Sequence, residues 1–143
     1  MKKSLKTLLT LVLIAVVFLA LSSLFGGLSV NVTFAEDELK VYASKDFYVT
    51  AEYDRIKSVE LLELPEDLGS IVTGGENRRF SWGERESEAF GKHSLYISKK
   101  IDAAVKVTTV DDQIIIFNYE SDKTTASIVE MFNGLLANRM PSQ

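Results

Sequence analysis

Residues 77–88, NRRFSWGERESE, gather three arginines (Arg78, Arg79 and Arg85) around Phe80 and Trp82, and Lys92 and His93 follow closely. Guanidinium groups beside aromatic rings can grip an anion in a two-pronged hydrogen bond or form the hot spot of a protein interface. Arg78, Arg79, Trp82 and Arg85 are therefore the candidate partner-binding residues. The opposing reading is that Phe80 and Trp82 seal a β core while the arginines pair in solvent with Glu76, Glu84, Glu86 and Glu88. Exposed pairs of that kind contribute only about 0–1 kcal/mol each.

Catalytic chemistry has few carriers. His93 is the sole histidine, there is no H-x-x-H spacing and no acidic calcium-loop pattern, so no metal site is expected and His93 reads as a surface residue. The absence of cysteine removes thiolate metal sites, a cysteine nucleophile, disulfides and acylation at a cysteine. Glu84, Glu86 and Glu88 supply carboxylates, but their i, i+2 spacing suits the outer side of a strand as well as it suits acid–base work. No nucleophile elbow is visible. A Ser, His and Asp set assembles in space rather than in sequence, so a hydrolase stays open as the weaker alternative. The chain reads as non-enzymatic, with no cofactor.

Those residues need a scaffold, and 143 residues allow one ordinary domain beside an apolar leader. Lys2, Lys3 and Lys6 are the only charges before Glu36, which leaves 13 basic against 20 acidic residues beyond them, a net of −7. An acidic body repels nucleic-acid phosphates and anionic lipid, so nucleic acid is not expected as a partner.

Residues 8–28, LLTLVLIAVVFLALSSLFGGL, are free of charge, and about 21 residues at ~1.5 Å each cross the ~30 Å hydrocarbon core. No polar stripe interrupts them at helical spacing, as a core helix would require. Residues 1–7 thus form a basic flank, 8–28 a transmembrane anchor and 29–143 the domain. Lysines before the span and Glu36, Asp37 and Glu38 after it place the N-terminus in the cytoplasm and the domain outside the cell membrane, as a single-pass protein. The rival is a cleaved signal peptide, with Thr33 and Ala35 at the small-residue positions, which would make the protein secreted. Against it, Val30, Val32 and Phe34 alternate with Ser29, Asn31 and Thr33 as in a half-buried strand that cleavage after Ala35 would discard.

The body reads as β-rich. Leu39, Val41 and Ala43 alternate with Lys40 and Tyr42, and Phe47, Val49, Ala51 and Tyr53 share one face of the next run. Residues 56–63 are too apolar for clean alternation, which implies a bulge or burial on both sides. Residues 65–91 are punctuated by proline and glycine into loops with one short strand near 79–83. Three further strands are expected at 93–100, 103–110 and 113–119, with a turn at Asp111 and Asp112. Ser121 or Asp122 can cap a final helix whose stripe is Ile128, Met131, Phe132, Leu135 and Leu136, stopped by Pro141. The expected fold is mainly β: about seven antiparallel strands in a meander, then one amphipathic helix.

The succession VNVTFAEDELKVYAS, YDRIKSVELLELPEDLG, GKHSLYI and VKVTTVDDQIIIFNYES resembles the membrane-associated bacterial pleckstrin-homology-like (PH-like) domains over residues 29–138. The resemblance implies two nearly orthogonal antiparallel sheets forming a partly open barrel with the C-terminal helix capping one end. It also implies recognition rather than catalysis. Phosphoinositide-binding relatives use a basic loop between the first two strands, where this chain has Glu36, Asp37 and Glu38, so phosphoinositide binding is not expected. The reading is a membrane-anchored binding or assembly module with a protein partner or self-association, the alternative being a secreted ligand carrier.

Overall fold

A computed structural model describes residues 2–25 and 29–139. It opens with helix α1 (Lys2–Phe25), followed by strands β1 (Asn31–Phe34), β2 (Glu38–Tyr42) and β3 (Tyr48–Glu52). A 3-10 turn, Tyr53–Arg55, leads to β4 (Ile56–Glu63). Then come β5 (Ser70–Ile71), β6 (Gly75–Glu76), β7 (Phe80–Ser87), β8 (Gly91–Ser98), β9 (Ala103–Thr109), β10 (Ile114–Phe117) and α2 (Asp122–Arg139).

Among the described residues the strands form two sheets and no closed barrel. A three-stranded antiparallel sheet has the order β1-β2-β3, and a seven-stranded one runs β4-β9-β10-β8-β7-β5 with β6 also paired to β7. The expected all-antiparallel meander is not observed: β4 pairs with β9 rather than with a sequence neighbour, and β10 lies parallel to β8, with Ile115 opposite Ser94 and Phe117 opposite Tyr96. β8 and β9, adjacent in sequence, are thereby separated by β10. Alternation reports which face a side chain takes and not which neighbour the strand chooses, so this insertion left no trace in the pattern.

Period-two burial sorts the core into two layers. Leu39, Val41, Val49 and Ala51 from the small sheet meet Val59, Val105, Val107, Ile115, Phe117, Trp82 and Tyr96 from the large one, with Ile128, Val129 and Phe132 of α2 closing the layer. The opposite face of the large sheet carries a smaller cluster, Leu95, Ile97, Ala104 and Ile116, covered by Leu62, Leu64, Leu68, Phe90 and Ile114. The irregularity expected in the 56–63 run is a register shift between Ile56 and Ser58. The Asp111–Asp112 turn is also present, with Asp112 at φ 63°.

Helix α2 starts on Ser121, whose Oγ accepts the Thr124 N–H at 3.0 Å. Asp122 instead reaches across, its Oδ1 accepting the N–H groups of Asp102 and Ala103 at 3.0 and 2.9 Å. The buried stripe is Thr125, Ile128, Val129, Phe132 and, partly, Leu136, whereas Met131 and Leu135 are exposed at 45% and 46%. The expected stripe was thus rotated by part of a turn. Pro141 lies outside the described residues.

Helix α1 carries no charged residue from Leu8 onward, and each described side chain, residues 4–20, is exposed. Among the described residues no helix is long and apolar enough to cross a membrane. The end of the expected 8–28 span, residues 26–28, lies outside the described residues.

Candidate functional site

The 65–91 segment holds more strand than its glycines suggest. β5 and β6 fold back on β7, pairing Ser70 with Glu86, Ile71 with Arg85, Gly75 with Trp82 and Glu76 with Ser81. Two glycines make the fold-back possible: Gly83 has φ 105°, and a Cβ there would lie 2.3 Å from the Thr73 carbonyl oxygen. Gly74 faces it with φ 88° and the Trp82 carbonyl oxygen 2.2 Å from its own virtual Cβ. Only glycine admits both the left-handed φ and the close approach.

On this frame the four candidate residues separate into two pairs. Arg78 and Arg79 are exposed at the turn between β6 and β7. The turn is fixed by Asn77, whose Oδ1 accepts the N–H groups of Arg79 at 2.8 Å and Phe80 at 2.7 Å. The Arg79 carbonyl accepts the Lys99 N–H at 2.7 Å, tying the turn to the end of β8. Trp82 and Arg85 are inside, at 8% and 3% exposure. Trp82 stands opposite Tyr96 in the main core and its ring packs over Gly75.

Arg85 points to the other face of β7. Its guanidinium donates to Ser81 Oγ, to the Gly69 carbonyl at 3.2 Å and to Glu76 Oε2 at 3.4 Å, while its Nε has no partner. Glu76 is shared with Lys99, whose Nζ lies at 3.3 Å. The hydrogen bond and charge of Lys99, then the bond from Arg85, hold the Glu76 carboxyl below its ordinary value. Arg85 is therefore a structural cation, since its charge is desolvated and directed inward. Sequence reading placed it on the surface because arginine is rarely buried. The available signal was parity: Ser81, Gly83 and Arg85 oppose Ile97, Leu95 and His93, which puts them on an apolar face.

His93 is likewise buried at 3%, not on the surface. Its Nδ1 lies 2.9 Å from the Gly91 carbonyl oxygen, which can only accept, so Nδ1 carries the proton. The Phe90 ring meets the imidazole edge-on with centroids 5.5 Å apart. Glu84 accepts the Ser94 hydroxyl at 2.7 Å. Burial first, and the Glu84 charge second, push the Tyr96 phenol up to about 12. Among the described residues no three His, Asp or Glu side chains are placed to hold a metal ion.

Two surface concavities were not legible in the sequence. One, of about 250 Å³, is lined by Val30, Phe80, Ser98, Ile101, Asn118, Tyr119 and Glu120. The other, of about 370 Å³, is lined by Glu36, Asp37, Glu52, Tyr53 and Asp54, with the Tyr53 hydroxyl donating to the Ala35 carbonyl at 2.7 Å. Both draw on segments distant in sequence, and only the pairing of β1, β2 and β3 brings the carboxylates together. No family model, curated protein or solved structure matches the chain.

Proposed function

We propose that this chain is a membrane-tethered, non-enzymatic recognition module, its extracytoplasmic β domain held close to the bilayer to engage a protein in the same plane. The observation that carries this reading is the integration of β1. Asn31–Phe34 pairs with β2 along its whole length, and Val30 sits in the main core at 8% exposure. Cleavage after Ala35 would strip a strand and a core side chain from the domain, which argues for a leader that stays attached. The uncharged stretch 8–28, exposed where its side chains are described, suits a lipid environment. The PH-like reading remains a proposal; two sheets with a C-terminal helix support it, and the parallel β8–β10 pair departs from it.

The absence of enzymatic chemistry in this proposal rests on how the reactive groups are used. Arg85 and His93 hold internal hydrogen bonds, and Glu84 is engaged by Ser94. The exposed pair Arg78 and Arg79, on a turn stiffened by Asn77, is the part of the original cluster open to a partner. A tether raises the effective concentration for such a partner without adding any contact.

Alkaline extraction of native membranes with N-terminal sequencing tests the tether. The chain is expected in the pellet with a terminus ahead of Ser29; a mature terminus at Glu36 in the medium overturns the reading in favour of a secreted carrier. Crosslinking from native membranes tests the partner. Arg78→Ala with Arg79→Ala is expected to keep the melt and lose the crosslinked species, and an unchanged crosslink removes the turn from the proposal.

A further inference from the structure

The outer face of the three-stranded sheet changes character along its strands. The row nearest α1 in the chain is Asn31, Tyr42 and Tyr48, paired across β1, β2 and β3; the next is Thr33, Lys40 and Thr50; the last holds Glu38 and Glu52. Beyond that last row lie Glu36, Asp37 and Asp54 of the acidic cleft. Over about 13 Å, at ~3.3 Å per residue, the face passes from phenols through a cation to carboxylates.

The phenol end is open to its surroundings. Tyr48 is 54% exposed, and the Lys40 ammonium lies 5.4 Å from the Tyr42 ring centre and 5.0 Å from that of Tyr48. Exposed Lys45 sits in the β2–β3 turn at the same end. Tyrosine and lysine share the geometry that a membrane interface rewards, an apolar body with a polar tip that reaches glycerol and phosphate oxygens. The chain itself sets the distance: six residue steps separate Phe25, the end of α1, from Asn31, a reach of at most ~21 Å. Phosphate charges would repel the carboxylate end and leave it facing water.

We propose that the Tyr42, Tyr48 and Lys40 end of this sheet rests on the lipid headgroups of the leaflet from which α1 emerges, so that the domain stands with its acidic cleft outward. The partner is the lipid surface itself, contacted through phenol rings and one or two ammonium groups; it does not depend on anionic lipid. This rests on the tether reading.

The chain contains no cysteine, so single cysteines introduced as Ile14→Cys, Lys45→Cys and Asp54→Cys each give one labelling site. A fluorescent label at each position is read in the full chain reconstituted in phosphatidylcholine vesicles, with iodide as the aqueous quencher and headgroup-level doxyl lipid as the membrane quencher. Quenching by iodide at position 45 should be about threefold weaker than at 54, with doxyl quenching the reverse, if the turn lies in the headgroup zone. Tyr48→Ser, a change at an exposed ring, should raise iodide access at 45 toward that at 54 while the label at 14 stays in hydrocarbon. Equal iodide access at 45 and 54 with the label at 14 in lipid overturns the proposal and spares the tether. A label at 14 in water overturns both.

Discussion

The side chain of Asn118 serves Ser98 as a substitute backbone: it accepts the Ser98 N–H at 2.7 Å and donates to the Ser98 carbonyl at 3.1 Å. The same amide donates to the Ile101 carbonyl at 3.3 Å, at 1% exposure. It thereby extends the parallel β8–β10 ladder beyond the Phe117–Tyr96 pair and pins the turn that follows β8. Asn118→Ala should lower the unfolding free energy by about 1–3 kcal/mol, because buried backbone groups lose their partner. Asn118→Asp should cost more at neutral pH, since a carboxylate would then face two carbonyls. Urea titration of both variants checks the order.

Helix α2 offers a paired comparison. Phe132, 2% exposed and within 5.8 and 6.0 Å of the Phe34 and Tyr53 ring centres, should cost about 3–5 kcal/mol on truncation to alanine. Met131→Ala, one position away and exposed, should stay within about 0.5 kcal/mol of the parent. Equal losses in thermal melts would show that the helix packs in the phase its sequence suggested.

The crossing of Gly74 and Gly83 predicts sharp intolerance. Gly83→Ala should destabilise by about 3 kcal/mol or more, combining a left-handed φ with backbone overlap. Gly91→Ala should be milder, because that glycine, at φ 66°, has nothing within 4 Å of a virtual Cβ. Denaturant midpoints of the two variants separate steric overlap from backbone strain.

Glu76 links the buried arginine to pH. Its folded pKa is depressed, so its contribution is present above the ordinary value of 4.5 and is lost as pH falls through the folded value. The carboxylate is 44% exposed, which limits the size of the effect through solvent screening. The melting temperature of Glu76→Gln should therefore fall below the parent near neutral pH, and the gap should close once pH drops well under 4.5. A gap that persists at acid pH would assign the loss to packing rather than to charge.

Local alternation carried most of the fold. The strands at β1 to β4 and at β9 could be read, as could an irregular 56–63 run and a helix start at one of two residues, Ser121 or Asp122, because each depends on neighbours within a few residues. Other features could not. β7 reads as only a short strand because SWGERES places polar residues on both faces, and its inward Arg85 is satisfied by Ser81 within the strand and by the Gly69 carbonyl from a segment distant in sequence. The phase of α2 was misread by including Met131 and Leu135, since apolar character alone does not decide which flank is covered. The candidate site was half legible: Arg78 and Arg79 are exposed as a binding turn requires, while Trp82 and Arg85 belong to the interior.

The place of β10 between β8 and β9 has a bearing on synthesis. Ribosomes deliver the chain from its N-terminus, so β8 and β9 emerge while the slot between them, roughly two strand spacings or ~10 Å wide, is still vacant. Neither can complete its hydrogen bonds until residue 117 is available, and the missing piece, Ile114–Phe117, is the most apolar strand of the sheet. Asn118 and the Ser121 cap come directly after it, so the residues that lock the insertion are delivered together with it. Until then Leu95, Ile97, Val105 and Val107 border an unfilled slot. A nascent chain halted before Ile114 would consequently be a preferred client for a chaperone, and one extended past α2 would not.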